Sequence, residues 1–456
     1  MLQQPRNNPL TSLGGRDAIS QFTPFCDITM SKLNDLSSDS PVFRTLMAPL
    51  EECLVNNSRS RSCQTMSDLE WLETGVLRVL SEDQSGRAFL QKLFHLGNDV
   101  GVSQFFAKLR SGRRLTHLQE TQARILDLMK EQRRDADPLL KFEELSKYLV
   151  FSGDGHYHEH ACHDPKIDGS HRATQHFYCL NYRTLGVNHF ALAEIGNGVK
   201  KEHDLKVCKK KNLKELRQGA GKGIKTLYVW DRAILDYPFW EEMKKGGVYF
   251  LTLCKSNLRF DLDKELEFDA EDPVNEGVLL DQMAWSRTEG RLVRRVSYQC
   301  PTDGKVYNFV TNLYKTVRPG VIALLYKMRW EIEKVFDEFK NRLGEKKSWS
   351  THENGKKAQA NFLCLTHNLL RLMEDKLESE GAVNKQDPER REKRLKDALD
   401  KRSIELNQVP NLSGLVQRVT QRSTILWRWL KIHLYLPTPW MNAVWALRAS
   451  YVEFAR

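Results

Sequence analysis

The sequence predicts an α/β fold in which a sheet is covered by helices, with further helical regions before and after it. Apolar runs of strand length alternate with helical segments between residues 148 and 256, as expected for a layered sheet. A strongly amphipathic helix is predicted at 320–343, beyond those strands. The chain has 456 residues, which is long enough for several domains.

The charge balance favours an anionic partner. The chain carries 70 Lys and Arg against 59 Asp and Glu, and a net charge of +11 is most often associated with nucleic acid binding. Apolar residues make up 40% of the chain, which excludes a wholly disordered protein. No apolar run approaches the ~18 residues of a transmembrane helix. Since MLQQPRNNPLTSLGGRD lacks a basic-then-apolar leader and the nine cysteines show no C-x-x-C spacing, we expect a cytoplasmic protein.

The N-terminal third divides into a polar segment and a helical region. Residues 1–66 are broken by Pro, Gly and Ser, and 56–67 is typical of a linker. Residues 67–147 are predicted to be helical. Three capping boxes, each with Ser or Thr at the helix start and Glu or Gln three positions later, support this prediction: Ser67 and Glu70, Ser81 and Gln84, Thr116 and Gln119.

A basic stretch inside the helical region has two interpretations. The sequence GVSQFFAKLRSGRRLTHLQ places Arg110, Arg113 and Arg114 close to two phenylalanines. A short helix with such a basic end is typical of a helix-turn-helix variant that contacts DNA. The alternative is a plain helical bundle with a solvated basic face. We predict a helical DNA-binding region at 67–147 and keep the bundle as the alternative.

The predicted core begins with five strands in its first part (148–256). They are YLVFSGD, two strands within QHFYCLNYRTLGVNHFALAEI, KTLYVWD and VYFLTLC. Helical segments separate the last three, which gives the order three strands, helix, strand, helix, strand. This mixed order resembles the ribonuclease-H-like fold, so we predict a ribonuclease-H-like core. The first of those helical segments, 199–225, carries ten Lys and Arg against three acids and is either a solvated face or a contact for DNA phosphate.

Three further regions complete the predicted organisation. Residues 257–315 are rich in β-formers and begin strongly acidic, which predicts a β-rich insertion. Residues 316–379 return to helix and form the second part of the core, including the amphipathic helix. Residues 380–456 are predicted to be a helical C-terminal region. Its tryptophans indicate a packed cap or a dimer surface: Trp427, Trp429, Trp440 and Trp445.

Two aspartates follow apolar strands of the predicted core. Asp154 ends YLVFSGD, and Asp231 ends KTLYVWD. Neighbouring strands of one sheet would bring both carboxylates to one edge, where their repulsion favours a divalent cation. A third acid would complete an oxygen-ligand site for Mg²⁺.

The amphipathic helix supplies that third acid. At ~100° per residue, four polar side chains of this helix fall within an arc of roughly 60°. They are Tyr326, Arg329, Glu333 and Lys340. A carboxylate for metal next to cations for phosphate is the combination that phosphodiester chemistry requires.

The pattern Y-x2-R-x3-E-x6-K, here YKMRWEIEKVFDEFK, is similar to the signature of bacterial DDE transposases in the large insertion-sequence branch called family four. VWDR, with Asp231 and Arg232, resembles the second-aspartate motif of that family. YFLTLCKSN and HNLLRL resemble its following strand and a later helix. Members of that family carry a β-strand insertion between the second aspartate and the glutamate, which corresponds to 257–315. The resemblance covers about residues 148–375.

The resemblance implies a DNA transposase that cuts and joins phosphodiesters at insertion-sequence ends by two-metal catalysis. Asp154, Asp231 and Glu333 would be the catalytic and metal-binding residues, holding Mg²⁺ or Mn²⁺ in its place. The implied partners are double-stranded DNA, as terminal inverted repeats and target, and a second copy of the chain in a homodimer on the bacterial nucleoid. Residues implied to contact DNA are Tyr326, Arg329, Lys340, Arg232 and Trp285.

Several alternatives stay open. Asp168 in IDGSH is a rival for the first aspartate, but a strand end fixes a ligand better than a loop. Trp285 either stacks on a flipped base, as the resemblance implies, or packs in the ordinary way. The cluster GHYHEHACHD (155–164) either lines the cleft or holds structural zinc. The rival functions are a ribonuclease-H-like nuclease without end specificity and a catalytically inactive DNA-binding relative.

Overall fold

The computed structural model describes residues 40–54, 66–81, 85–95, 100–166, 169–193, 204–232, 235–255, 258–300, 304–314, 316–344, 347–383 and 422–454. Asp168, most of the polar segment 1–66 and most of the predicted linker lie outside the described residues. Within these ranges, no helix combines the length and the apolar character that a membrane span requires.

The described chain begins with five helices. They are α1 (Pro41–Glu52), α2 (Asp68–Leu80), α3 (Gly86–His95), α4 (Val102–Leu109) and α5 (Gly112–Gln132). α1 is not among the predicted helices, because Pro49 and the polar surroundings mask its pattern. It nevertheless buries one apolar face, formed by Val42, Phe43, Leu46, Met47 and Leu50.

One of the three predicted capping boxes is confirmed. Ser67 Oγ accepts the N–H of Glu70 (3.1 Å), and a Glu70 carboxylate oxygen accepts the N–H of Ser67 (2.6 Å). The prediction for Thr116 is wrong, because α5 begins directly after Ser111 and Thr116 lies inside it. Ser81 follows the C-terminal end of α2, and Gln84, its predicted partner, lies outside the described residues.

Two arginines of the basic stretch are bound within the molecule. Arg113 and Arg114 both pair with Asp68 of α2, and Arg114 also donates to two backbone carbonyls. Arg114 is buried, whereas Arg110 is exposed. These contacts favour the bundle alternative for Arg113 and Arg114, and DNA binding by 67–147 stays a prediction.

Nine strands of the described residues form one sheet in the order β3-β2-β1-β4-β5-β9-β8-β7-β6. β1, β4 and β5 are parallel neighbours, and all other pairs are antiparallel. The strands are β1 (Tyr148–His158), β2 (Thr174–Asn181), β3 (Val187–Leu192), β4 (Lys225–Val229), β5 (Val248–Leu253), β6 (Phe260–Glu265), β7 (Val278–Ser286), β8 (Leu292–Gln299) and β9 (Val306–Thr311). The α/β class is confirmed, and the ribonuclease-H-like assignment stays a prediction.

Alternate residues of the central strands pack on opposite faces of the sheet. Leu227 and Val229 of β4 belong to one core cluster. Tyr228 of β4 and Trp230, which follows this strand, belong to a second core cluster on the opposite face. Helix α8 (Tyr237–Lys245) covers the second face through Trp240. The short helices α6 (Asp204–Lys209) and α7 (Leu213–Leu216) precede β4. A period of two along a strand produces this double-sided core.

The described residues of 257–315 include the strands β6 to β9, which belong to the same sheet as β1 to β5. β9 pairs with β5, with Leu251 opposite Thr311, so that β6 to β9 extend the core sheet. β6 forms the outer edge and is mostly exposed.

The helices after the sheet are α9 (Pro319–Met328), α10 (Trp330–Asn341), α11 (Glu353–Ser379), α12 (Thr424–His433) and α13 (Trp440–Phe454). The structure has two consecutive helices, α9 and α10, where the sequence predicts a single helix at 320–343. Arg329 lies between them, and because it has helical backbone angles (φ −54°, ψ −32°), α10 follows α9 without an intervening loop.

Helix α11 joins the sheet to the helical regions. It contacts α2, α5 and β3 and contributes to the largest core cluster. The described part of the C-terminal region contains the helices α12 and α13. Trp427 and Trp429 are buried in that cluster, whereas Trp445 is exposed.

Candidate active site

Asp154 and Asp231 lie close to the same end of two neighbouring parallel strands. The ladder between β1 and β4 ends with Ser152 opposite Val229, and each aspartate lies two residues beyond that pair. The prediction that β1 ends at Asp154 is wrong. β1 continues to His158, because β2 pairs with it over this length. Asp154 therefore lies beyond the end of β4.

The backbone of Asp231 is held by the neighbouring strand β5. The hydroxyl of Thr252 donates to the carbonyl oxygen of Asp231 (2.8 Å). The N–H of Trp230 donates to the carbonyl oxygen of Leu251 (2.9 Å). The exposed carboxylate of Asp231 accepts the N–H of Arg232 (2.7 Å). Asp231 thus lies two residues after the end of β4, in a backbone position that two hydrogen bonds fix.

Arg329 lies between two of the predicted acids. Its Nη2 donates to Oε1 of Glu333 (3.0 Å), and its Nη1 lies 3.7 Å from Oδ2 of Asp154. Arg329 is only 6% exposed. Its guanidinium also lies 5.8 Å from the ring centroid of Tyr326 and 5.5 Å from that of Trp330. One carboxylate from β1 and one from α10 therefore meet at a single guanidinium.

The surroundings of Asp154 disfavour its charge. Burial raises the pKa of Asp154 to about 6, and the N–H of Gly155 and the cation of Arg329 oppose this rise. The carboxylates of Asp204 and Glu333 add to the rise. Additional positive charge would stabilise the ionised form of such a buried carboxyl group, and a bound divalent cation would provide that charge.

Asp231 belongs to the same electrostatic group. Burial raises the pKa of Tyr326, Arg329 opposes that rise, and Asp231 adds to it. Asp231 also acts on Arg329, together with Glu333 and Asp154. These effects place Asp231 in the electrostatic surroundings of Arg329, to which Asp154 and Glu333 also belong.

Asp204 is a site neighbour that the sequence does not reveal. It begins α6, is 8% exposed and raises the pKa of Asp154. Asp204 lies in the basic stretch 199–225, which has ten Lys and Arg and three acids. Nothing in the spacing of these residues distinguishes Asp204 from the other two acids. The fold brings this carboxylate to the site, since Val207 and Cys208 of α6 belong to the same core cluster as Phe151 of β1.

The donor set suits a hard divalent cation by its chemistry. Carboxylate oxygens are the ligands that Mg²⁺ and Mn²⁺ prefer. Among the residues that the structure describes, no group of three or more His, Cys, Asp or Glu is arranged to hold an ion together. The positive charge between Asp154 and Glu333 is instead that of Arg329.

The other predicted DNA-contacting side chains of this region differ in exposure. Tyr326 is 8% exposed and packs against Phe309, with ring centroids 5.1 Å apart. Lys340 and Arg232 are exposed. Lys340 follows Glu333 by two helical turns, which is about 10.5 Å along α10. Lys340 therefore continues the face of α10 that Glu333 begins.

Trp285 lies apart from the acids. It belongs to β7, which is four strands from β4 in the sheet order and therefore about 19 Å away at the usual strand spacing. Its side chain is 44% exposed, and its indole N–H donates to Oδ1 of Asp263 (2.9 Å). These contacts are those of the ordinary-packing alternative.

Histidines of β1 to β3 form a layer beside α10. His158 Nε2 lies 2.8 Å from the hydroxyl of Tyr178, and His176 Nδ1 lies 3.0 Å from Nε2 of His189. His156 stacks on an aromatic ring of α10. Among the described residues no group of three or more His, Cys, Asp or Glu could hold a metal ion, and the cleft-lining and zinc alternatives for 155–164 both stay open.

Comparison with known proteins finds a similarity in the central part of the chain. Residues 170–369 match the family model described as a transposase DDE domain. The match supports a DDE transposase. The matched segment contains Asp231, Arg329 and Glu333 and begins after Asp154. The family-four subgroup stays a prediction.

Two individual similarities accompany the match to the DDE transposase model. The protein y4zB, a candidate transposase of Sinorhizobium fredii (strain NBRC 101917 / NGR234), is 26% identical over 151 residues, which cover 32% of this chain and 42% of y4zB. The chain thus spans less than half the length of that relative. The cryo-EM structure of a piggyBac transposase synaptic complex with hairpin DNA aligns over 91% of this chain and 87% of its own, with 10% identity and a TM-score of 0.35.

Proposed function

We propose that the protein is a metal-dependent DNA transposase of the insertion-sequence family-four type that cuts and joins phosphodiesters at element ends. The observation that carries this proposal is the meeting of Asp154 and Glu333 at Arg329, with Asp231 close to the same end of the neighbouring strand β4. The transposase match over 170–369 supports it. The strand order β3-β2-β1-β4-β5, with its parallel centre, supports a ribonuclease-H-like core.

Asp154, Asp231 and Glu333 would hold Mg²⁺, or Mn²⁺ in its place. When bound, the metal would supply activation of a water or a DNA 3′-hydroxyl and stabilisation of the leaving oxygen. The residues of the chain hold these carboxylates in position. Asp154 and Asp231 each lie two residues beyond the last pair of the β1–β4 ladder, Thr252 holds the backbone of Asp231, and the N–H of Gly155 donates to one oxygen of Asp154. The carboxylates act as ligands, and none attacks the DNA.

The DNA backbone would lie along the exposed face of α10 and the end of β4. Lys340 and Arg232 are exposed cations on that surface. Arg329 has the planar fork that binds phosphate through two hydrogen bonds. Tyr326 is held beside Arg329 and offers a hydroxyl to a phosphate or a ring to a sugar.

The proposed partners follow from the same function. They are double-stranded DNA, as terminal inverted repeats and as target, and a second copy of the chain in a homodimer that pairs two ends. The net charge of +11 suits a polyanionic partner. The half-exposed Trp285 would stack on an unpaired base of this DNA. The place of action would be the nucleoid in the bacterial cytoplasm.

Cleavage of duplex DNA that carries the element ends, with and without Mg²⁺, tests the proposal. Glu333→Gln removes one metal-binding carboxylate and keeps its size, so we expect cutting to be lost while binding in a gel-shift assay is retained. Asp337→Asn is the matched control, because Asp337 is exposed on the same helix one turn later. It should cut like the wild type. Equal cutting by the wild type and Glu333→Gln refutes the assignment.

The same assay separates the rival functions. A nuclease without end specificity would cut unrelated duplexes as readily as element ends. A catalytically inactive relative would bind the ends and cut neither DNA with Mg²⁺ or with Mn²⁺. A transposase is expected to cut at the element ends selectively.

A further inference from the structure

The guanidinium of Arg329 is held where two acids of the site converge. It contacts Glu333 at 3.0 Å and lies 3.7 Å from Asp154, and the side chain is 6% exposed. The rings of Tyr326 and Trp330 lie 5.8 and 5.5 Å from it. This is an enclosed cation with a defined position, in contrast to the exposed Lys340.

The position of Arg329 has an electrostatic consequence for the two acids. Two carboxylates held close together in a partly dry site require a positive charge between them. Arg329 supplies that charge in the protein without an ion. A divalent cation that used the same oxygens of Asp154 and Glu333 would meet the repulsion of the guanidinium at short range.

We propose that Arg329 is an internal counter-ion that competes with divalent cations for Asp154 and Glu333, and that DNA phosphate withdraws it. Metal loading and DNA binding are thereby coupled through one side chain. The inference rests on the proposed function, because it requires a metal at these acids and a phosphodiester substrate.

The chemistry of arginine makes the exchange of partners favourable. A guanidinium binds phosphate through two parallel hydrogen bonds, whereas its contact with Asp154 at 3.7 Å is too long for a hydrogen bond. The Nε of Arg329 is buried and has no hydrogen-bond partner among the described residues. A phosphate would satisfy donors that the two carboxylates leave unused. By thermodynamic linkage, if bound DNA increases the affinity for the metal by some factor, bound metal increases the affinity for DNA by the same factor.

Mn²⁺ binding to the whole protein without DNA, followed by electron paramagnetic resonance, tests the competition. Arg329→Gln removes the charge and keeps a side chain of similar reach. We expect it to bind Mn²⁺ about tenfold more tightly than the wild type, within the usual range of coupling between sites. Lys327→Gln removes the same charge from an exposed position two residues earlier and should bind Mn²⁺ like the wild type. Equal affinity in Arg329→Gln and the wild type overturns the inference.

A second measurement needs no substitution at Arg329. The wild type is titrated with Mn²⁺ in the presence and absence of a duplex oligonucleotide, and the Mn²⁺ bound by the DNA alone is subtracted. We expect the duplex to tighten Mn²⁺ binding several-fold in the wild type and not in Glu333→Gln, which lacks one ligand. An unchanged Mn²⁺ affinity in the wild type on adding DNA overturns the coupling.

These outcomes are separable from those of the proposed function. The Mn²⁺ titration of the free protein involves no DNA cutting, so its failure leaves the transposase proposal standing. Cutting that survives Glu333→Gln removes the transposase proposal, while tighter Mn²⁺ binding by Arg329→Gln still establishes the competition.

Discussion

A β-carbon on Gly153 would lie 2.3 Å from the indole ring of Trp230. Trp230 is 1% exposed and stacks on Tyr228 with ring centroids 5.6 Å apart, so the indole has no free space into which to move. Glycine at this position therefore lets β1 and β4 lie side by side immediately before Asp154 and Asp231.

Gly153→Ala is expected to lower the free energy of unfolding by about 1–3 kcal/mol, the usual cost of overpacking a core. It should also displace Asp154, so that DNA cutting falls more than DNA binding. Denaturant unfolding and the cleavage assay measure the two effects. Gly221→Ala is the control, because a β-carbon there meets nothing within 4 Å. Wild-type stability and cutting in Gly153→Ala would show that the contact does not position Asp154.

Thr252→Val tests whether the hydrogen bond to the backbone of Asp231 matters for cutting. The substitution keeps the shape of the side chain and removes the donor, which is expected to cost about 1 kcal/mol of stability. Thr226→Val, on the neighbouring strand β4, is the matched variant, because the hydroxyl of buried Thr226 donates to the carbonyl oxygen of Arg217 (3.0 Å). Both variants should lose similar stability, but only Thr252→Val should cut more slowly. Equal cutting by the two variants contradicts the role given to Thr252.

Local patterns explain which parts of the site could be predicted from the sequence. Strand β4 followed by Asp231 and the helix face with Glu333 both depend on the spacing of neighbouring residues. The predicted β1 is too short, because the residues after Asp154 lack apolar alternation. They form a strand because β2 pairs with them, with Asp154 opposite Tyr178.

Contacts between distant segments could not be predicted in this way. Asp204 reaches Asp154 only when α6 packs near β1. The position of Arg329 between two acids requires β1 and α10 to meet. The joining of β6 to β9 onto the core sheet depends on the single pairing of β5 with β9. The role of Trp285 came from the resemblance alone, and the structure does not bring that side chain to the acids.

Trp285→Ala tests base stacking by the half-exposed indole. Stacking on an unpaired base contributes about 1–3 kcal/mol, so the variant should bind a duplex end with one unpaired base more weakly by that amount. Because Trp285 is 44% exposed, the midpoint of thermal unfolding of the Trp285→Ala variant should stay close to that of the wild type. Leu279→Ala removes another exposed apolar side chain from the same strand and is the control. Equal DNA affinity in the two variants, measured by 2-aminopurine fluorescence, supports ordinary packing.

A buried ion cluster joins α10 and α11 to the residues that precede α12. Arg422 donates to both carboxylate oxygens of Glu338, and Nδ1 of His367 lies 2.8 Å from Oε1 of Glu338. Burial disfavours the charge of Glu338, but Arg422 and His367 outweigh burial and hold its pKa at about 2, below the ordinary value of 4.5. The carboxylate is therefore ionised in the folded protein over the whole physiological range.

The lowered pKa of Glu338 makes part of the stability depend on pH. A depressed pKa contributes stability that is present above the unfolded value of 4.5 and is lost as the pH falls towards the folded value of about 2. Denaturant unfolding of the wild type should therefore weaken across this window. Glu338→Gln is expected to be less stable near neutral pH by about 3–5 kcal/mol, because the buried Arg422 loses a charged partner. It should also show a smaller loss on acidification, whereas Asp337→Asn keeps the wild-type profile. An acid profile of Glu338→Gln as steep as that of the wild type would show that another carboxylate is responsible.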